Sequence, residues 1–120
     1  MIEIFDRKGF DKLLTIDAES LAGADLAGAQ LPNANLIQLE LCDADFSGAN
    51  LANADLRLAN LRGTRLREAD LTGADLTGAC LDGADLQGAI LKDVTMSDEQ
   101  RQTLRQSGVK LSQLSWTIKS

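Results

Sequence analysis

Residues 69–88 read ADLTGADLTGACLDGADLQG, four consecutive units of five residues. The period extends in both directions from this tract, so that an apolar residue occupies every fifth position from Leu21 to Met96. Of these sixteen centres, fourteen are Leu, and the exceptions are Phe46 and Met96. Ala stands two residues before twelve of the centres, a polar residue (most often Asp or Asn) usually lies directly before them, and Gly often follows two residues after them. Self-similarity at a fixed period predicts a repeat architecture.

Neither of the common secondary-structure periods accounts for a spacing of five. An amphipathic helix places apolar residues three and four apart, and a strand alternates them. Within each unit, Ala and the centre lie two residues apart and therefore share one side of a short extended segment. Gly or Asn after the centre favours a sharp turn, because these residues adopt left-handed backbone conformations at little cost. A short extended piece followed by a corner, repeated many times, predicts a coil with its apolar side chains inside.

Units such as ADLAG, ANLAN, ADLTG and ADLQG resemble those of the pentapeptide-repeat family, over about residues 19–96. The resemblance implies an all-β solenoid, a right-handed quadrilateral β-helix with four units in each coil. Sixteen centres then make about four coils, and a spacing of about 4.8 Å between coils gives a solenoid about 19 Å long. The 120 residues therefore divide into an N-terminal cap (residues 1–17), the β-helix (18–96) and a C-terminal α-helical and terminal-strand cap (97–120), within a single domain.

Four units per coil place residues twenty apart in vertical columns. The centres of the middle of the tract are expected to form the core: Leu41, Phe46, Leu51, Leu56, Leu61, Leu66, Leu71, Leu76 and Leu81. Phe46 is interpreted as core packing rather than as a ligand contact. Among the residues that replace Ala two positions before a centre, Glu19 is expected at the mouth of the solenoid. Leu39 and Thr64 are expected to distort a coil or to form a bulge.

One outward column is a first candidate interaction surface, formed by Asp25, Asp45, Arg65 and Asp85. Three carboxylates at steps of about 5 Å would repel one another, and Arg65 is expected to relieve the repulsion by pairing with Asp45 and Asp85. A ladder of this kind is typical of a solvated surface that contributes little net stability.

Arginines from neighbouring units form a second candidate surface, consisting of Arg57, Arg62, Arg65 and Arg67. Two interpretations are open. The arginines balance the charge of the acidic residues around them, or they form a contact patch for an acidic surface of a partner protein, since Arg is enriched at interaction hot spots.

The composition excludes several kinds of chemistry. The chain has no His, so a Ser-His-Asp triad, a histidine metal site and an imidazole acid or base are impossible. Twelve basic and eighteen acidic residues give a net charge of −6, which disfavours direct binding to nucleic acid and attraction to an anionic membrane. No apolar run reaches the roughly 18 residues of a membrane span, and the N-terminus lacks a signal-peptide pattern, so a cytoplasmic location is expected.

The two cysteines are expected on the outside of one face. Cys42 and Cys80 lie two coils apart, about 10 Å, which is beyond the roughly 7 Å limit on the Cα separation of a disulfide. Two free thiols are therefore predicted, with no metal and no cofactor.

Both ends of a solenoid need cover, because open backbone edges pair with other chains. At the N-terminus, the residues expected to cover the first coil are Ile4, Phe5, Phe10, Leu13 and Leu14. After Met96, Ser97 and Gln100 form a capping-box pattern that predicts a helix over about residues 97–107. The residues that predict a terminal strand, covering the last coil or serving dimerisation, are Val109, Leu111, Leu114, Trp116 and Ile118.

The favoured function is a non-catalytic protein–protein interaction or structural module, either a monomer or a dimer through a terminal cap. An enzyme is not expected, because a filled core leaves no concave pocket. The resemblance implies one alternative, a mimic of B-form DNA that binds or inhibits a type II topoisomerase such as gyrase. The charge argues against this alternative, because residues 18–96 carry a net charge of −7, whereas about 19 Å of duplex carries about eleven negative charges.

Overall fold

The computed structural model describes residues 1–106 and 116–118, and its largest part is a β-solenoid. Extended segments pair in parallel with the segments twenty residues later, as from Asp25 to Asp45 and from Asp45 to Arg65. Three further columns repeat this pattern, so each turn of the chain has four sides. The pairing follows from the five-residue unit, because four units bring the fifth directly over the first.

We number the four sides by their first centres. In the first coil, face 1 comprises residues 19–23 around Leu21, face 2 residues 24–28 around Leu26, face 3 residues 29–33 around Leu31 and face 4 residues 34–38 around Leu36. The first coil is defined as residues 19–38, and each later coil starts twenty residues further on.

The corners between the faces are tight turns in the left-handed conformation. All fifteen residues that lie two positions after a centre, from Gly23 to Asp93, have φ between 58° and 74°. Eight of them are Gly, and the other seven include Leu58, with a φ of 61°. The corner is closed by a backbone hydrogen bond, as where the Ala24 N–H donates to the Leu21 carbonyl at 3.0 Å. Gly in the unit is therefore explained by the corner that ends each extended segment.

The interior of the solenoid is filled by Leu and Ala side chains. The nine core residues named from the sequence are each at most 4% exposed. Thr64 and Leu39, which replace Ala, keep the ordinary bonds between coils: Asp85 N–H donates to the Thr64 carbonyl, and Asn60 N–H donates to the Leu39 carbonyl, each at 2.9 Å. The prediction that these residues distort a coil was wrong. The buried hydroxyl of Thr64 donates to the Leu61 carbonyl at 2.8 Å, and Leu39 is only half-buried, so neither displaces the backbone.

A hairpin precedes the solenoid and joins its first coil. β1 (Ile2–Phe5) and β2 (Lys12–Ile16) pair antiparallel. Residues 5–7 continue against residues 33–35, at the corner that leads into face 4: Asn35 N–H donates to the Phe5 carbonyl at 2.8 Å, and Arg7 N–H donates to the Asn33 carbonyl at 2.7 Å. The hairpin is thus hydrogen-bonded to the edge of the first coil on this face.

Only part of the hairpin packs on the core as expected. Ile4 is buried, and Leu13 and Leu14 are half-buried against the core, whereas Phe5 and Phe10 are 38% and 84% exposed. The prediction that the two Phe cover the first coil was wrong. Alternation along β1 turns Phe5 away from the side of Ile4, and Phe10 lies between the two strands.

The chain leaves the repeat through β3 (Val94–Met96) and enters α1 (Asp98–Gln106). Gln100 N–H donates to Ser97 Oγ at 3.1 Å, and Ser97 N–H donates to Gln100 Oε1 at 2.7 Å, which confirms the capping box. β4 (Trp116–Ile118) pairs in parallel with β3 and extends face 4 by one strand. The rest of the predicted terminal strand, including Val109, Leu111 and Leu114, lies outside the described residues.

Gln100 also replaces a backbone donor of the solenoid. Within the stack, the N–H directly before a centre donates to the carbonyl twenty-one residues earlier, as from Cys80 to Ala59 at 3.0 Å. The Ala79 carbonyl would receive the N–H of residue 100 in the same way, but the chain has turned into α1. Instead, the side-chain Nε2 of Gln100 donates to the Ala79 carbonyl at 2.9 Å and to the Leu76 carbonyl. One buried side chain therefore serves both the helix N-terminus and the end of the stack.

Candidate interaction surfaces

Asp and Asn before the centres have a structural role that the sequence analysis missed. Their Oδ1 accepts the N–H of the residue two positions later, as from Ser47 to Asp45 at 2.9 Å. The same bond is made at nine positions in all: Asp25, Asn35, Asp45, Asn50, Asp55, Asn60, Asp70, Asp75 and Asp85. This Asx turn leads the chain into each corner, and the known preference of Asp and Asn for such turns was the available signal. Much of the acidic character of the walls therefore follows from turn geometry.

The column on face 2 is in register, but its ion pairs differ from those expected. Arg65 is exposed and makes no ion pair with Asp45 or Asp85 in the described part of the chain. Asp85 pairs instead with Nε of Arg67, and Asp45 accepts hydrogen bonds from Ser47. These bonds hold the pKa of both carboxyl groups below the ordinary value. The predicted ion pairs of Arg65 were wrong, because the closest donors are Ser47 for Asp45 and Arg67 for Asp85. The charge of Arg65 still contributes to the lowered pKa of Asp45.

Asp55 is a buried carboxylate held by two arginines. The Arg57 guanidinium donates from Nε to Oδ1 at 2.8 Å and from Nη2 to Oδ2 at 2.7 Å. Arg7 of the hairpin lies 4.0 Å from the same Oδ2 and donates to the Asn53 carbonyl at 3.3 Å. The hydrogen bonds from Arg57 hold the pKa of Asp55 below its ordinary value. This cluster links the hairpin to the second coil, so Arg57 has a structural partner.

The four predicted arginines therefore fall into two groups. Arg57 and Arg67 make ion pairs, whereas Arg62 and Arg65 are exposed and make none within residues 1–106. The unpaired two flank the corner between faces 1 and 2 in the third coil, which is formed at Gly63. We call Arg62 and Arg65 the arginine pair.

Net negative charge is concentrated toward the other end of the solenoid, because its basic residues lie in the later coils. Residues 13–56 contain seven acidic side chains and neither Lys nor Arg. Asp55, one of the seven, is paired with arginines from outside this segment. Five others belong to faces 1 and 2 of the first two coils and make no ion pair within the described residues; they are Glu19, Asp25, Glu40, Asp43 and Asp45. We call these five the acidic surface.

The described residues offer little to a metal ion or a small molecule. They contain no group of Cys, Asp and Glu arranged to hold a metal. Cys42 and Cys80 are free and half-buried. The concave spaces include open grooves between neighbouring coils, such as the one lined by Ser47, Arg67 and Gln87. No helix in the described part of the chain is long and apolar enough to cross a membrane.

The profile described as pentapeptide repeats matches the chain in eight copies, over residues 20–57 and 54–93. The match covers more than half of the chain, so the protein belongs to the pentapeptide-repeat family, and the resemblance seen in the sequence is confirmed. Pentapeptide-repeat proteins form right-handed quadrilateral β-helices and are generally structural or interaction modules. No curated protein matches the chain in sequence.

Several solved structures of this family are similar to the chain. Rfr23 from the cyanobacterium Cyanothece 51142 is 40% identical over 56% of this chain and 49% of its own, with a TM-score of 0.37. The chain thus spans about half the length of Rfr23. The protein alr5209 from Nostoc PCC 7120 is 37% identical over 76% of this chain and 84% of its own, with a TM-score of 0.37. QnrB1, a plasmid-mediated fluoroquinolone resistance protein, is 17% identical over 67% of this chain and 59% of its own, with a TM-score of 0.42.

Proposed function

We propose that this protein is a non-catalytic module that binds another protein through the outer walls of its solenoid. We infer four coils of a right-handed quadrilateral β-helix, with α1 as the C-terminal cap. The interior is filled by Leu and Ala, so contact with a partner falls to the side chains that point outward. We expect the module to act in the cytoplasm, as a monomer or as a dimer through a terminal cap.

The arginine pair is the observation that carries this proposal. Arg62 and Arg65 are exposed and make no ion pair within residues 1–106, although the chain has eighteen acidic residues and a net charge of −6. Both project from backbone that is fixed between coils, since Asp43 N–H donates to the Arg62 carbonyl at 2.8 Å and Phe46 N–H donates to the Arg65 carbonyl at 2.7 Å. Binding there orders little backbone, which lowers its entropic cost. The ligand that fits is a protein surface that presents carboxylates.

The test is affinity capture from native lysate of the source organism with the wild type and with the double variant Arg62→Glu, Arg65→Glu. Lys92→Glu is the matched control, because it reverses an exposed basic residue on face 3 of the coil formed by residues 79–98. We expect the double variant to lose a partner that the wild type and the control retain. Retention of every captured protein by the double variant would contradict the proposal.

The geometry gives less support to a mimic of B-form DNA. Arg65 interrupts the acidic column on face 2, and Asp55 and Asp85 are both paired with arginines. A mimic needs a continuous track of unpaired negative charge, because duplex DNA carries one charge per about 1.7 Å of its axis. We therefore expect no inhibition of gyrase supercoiling at high micromolar protein.

A further inference from the structure

We propose that the open backbone edge of the first coil, over residues 23–30, binds an extended segment rich in Lys or Arg from a partner protein by strand addition. This inference rests on the proposed protein-binding function, and it names a second surface and the chemistry of its ligand.

Unpaired backbone groups define this edge. In the second coil, the N–H groups of Asp45 and Asn50 donate to the carbonyls of Ala24 and Ala29, each at 2.9 Å. Asp25 and Gln30 are at the equivalent positions of the first coil, but no earlier segment of the described residues pairs with them. Their N–H groups have no hydrogen-bond partner among residues 1–106. A row of such groups is a template for pairing with another strand.

Residues 23–30 also offer open space for a strand. Ala24 and Ala29 are only partly buried, whereas Ala44 and Ala49, one coil later, are at most 1% exposed. The segment reads GADLAGAQ, so five of its eight residues are Gly or Ala, and three of these, Gly23, Ala27 and Gly28, are at outward or corner positions. Small side chains let a second backbone approach within hydrogen-bond distance of the edge.

On face 4, the edge of the same first coil already accepts a strand. There, residues 5–7 pair antiparallel with residues 33–35, with Asp6 opposite Ala34. Asn35 N–H donates to the hairpin, and the Asn33 carbonyl accepts from it. The corresponding groups at the corners that lead into faces 2 and 3 are the N–H groups of residues 25 and 30 and the carbonyls of residues 23 and 28. A ligand strand that repeats the geometry of the hairpin makes two hydrogen bonds at each of these corners.

The surrounding charge selects the ligand. The acidic surface lies on faces 1 and 2 of the same end, and Asp25 is within the open edge itself. No Lys or Arg occurs from residue 13 to residue 56. A strand that carries basic side chains is therefore attracted to the edge, whereas a second copy of the same edge is repelled by like charge. Main-chain hydrogen bonds give such a complex its geometry, and the charges select the sequence.

The test uses a nine-residue peptide of alternating lysine and threonine as the probe, with amide hydrogen exchange measured by NMR at low salt. In the free protein, we expect the amides of Asp25 and Gln30 to exchange at least tenfold faster than those of Asp45 and Asn50. Saturating peptide is expected to slow the exchange of Asp25 and Gln30 at least tenfold. Equal protection of all four amides in the free protein would overturn the proposal, because the edge would then already be occupied.

Two control peptides separate strand addition from attraction of charge alone. A glutamate–threonine peptide of the same length is expected to leave the exchange of Asp25 and Gln30 unchanged. A lysine–threonine peptide that is N-methylated at every residue keeps its charge but has no backbone donor, and we expect it to bind at least fivefold more weakly. Equal affinity of the methylated and unmethylated peptides, or no binding of the unmethylated peptide at millimolar concentration, would overturn the proposal.

Variants of the protein complete the test. Asp25→Asn removes one charge but keeps the side-chain oxygen of its Asx turn, and we expect it to weaken peptide binding three- to tenfold. Asp75→Asn, with the same change on face 4, is the matched control and should alter binding less than twofold. Equal effects of the two substitutions would contradict the assigned location. Because neither variant touches the arginine pair, failure of this experiment is distinct from failure of the proposed function.

Discussion

Replacing Gln100 tests how the stack of coils ends. Its Nε2 donates to the Leu76 and Ala79 carbonyls, while its Oε1 accepts the Ser97 N–H. Gln100→Glu keeps an oxygen for Ser97 but removes the donor and brings a negative charge against the two carbonyls. Gln100→Ala removes both functions. Ser97→Ala is the control, because it removes only the oxygen that accepts the Gln100 N–H.

The magnitude follows from which partners remain. The Leu76 carbonyl still accepts the Ala79 N–H at 3.0 Å, so only the Ala79 carbonyl loses its hydrogen bond in the variants. An unsatisfied buried acceptor costs about 1–3 kcal/mol. Loss of the N-cap side chain of Ser97 costs about 1 kcal/mol, and loss of the hydrogen bond from the Ser97 N–H to Gln100 costs about as much. We therefore expect Gln100→Ala to lower the free energy of unfolding by about 2–4 kcal/mol and Ser97→Ala to lower it by about 1 kcal/mol.

Urea denaturation followed by far-ultraviolet circular dichroism measures these changes. Gln100→Glu is expected to lose at least as much stability as Gln100→Ala at pH 7. Burial beside carbonyl oxygens raises the pKa of the new carboxyl in the folded state, so its deficit relative to the wild type should shrink as the pH falls and the protonated group donates again. If Gln100→Glu were as stable as the wild type at pH 7, the proposed replacement of a backbone donor by this side chain would be refuted.

Three further predictions concern the corners and the buried carboxylate. Gly48→Ala should lower the free energy of unfolding by about 1–2 kcal/mol, because residue 48 has a φ of 67°, which Ala adopts only with strain. The added Cβ would meet no other atom, so a clash would not contribute. Unchanged stability of this variant would contradict the strain argument. Leu58→Gly, at a φ of 61° and with a 56% exposed side chain, should instead raise stability or leave it unchanged in the same denaturation assay. Asp55→Asn should lose about 1.5–3 kcal/mol at pH 7, because it weakens a charged pair with Arg57. The pKa of Asp55 is lowered from 3.8, so the stability that its charge contributes is present above that pH and is lost as the pH falls below it. The wild type and Asp55→Asn should therefore converge in stability below pH 3.8. A difference that stays constant with pH would argue against the ion pair with Arg57.

Sequence patterns identified the main architecture because every level of the repeat agrees with the others. The centres are buried, the position two residues after each centre takes the left-handed corner, and units twenty residues apart pair. The capping box at Ser97 was also predictable, since both of its side chains act within one helical turn. Substitutions within the pattern were harder to interpret. Thr64 was expected to disturb its coil, but its hydroxyl finds a carbonyl three residues away.

Interactions between side chains on different coils depended on the tertiary structure. The spacing of twenty residues places Arg65 between Asp45 and Asp85, yet the ion pair with Asp85 is made by Arg67. A long arginine side chain can reach a neighbouring column, and the spacing alone does not show this. The second arginine beside Asp55 is Arg7, which is forty-eight positions earlier in the chain and belongs to the segment between β1 and β2.

The sequence by itself determined the period, the filled interior and the absence of histidine chemistry, because these are properties of each unit and of the composition. Only the tertiary structure decided which charges are paired, which backbone edge is left open and how the last coil ends. These depend on distances between residues tens of positions apart, which the repeat brings close without specifying which side chain reaches which partner.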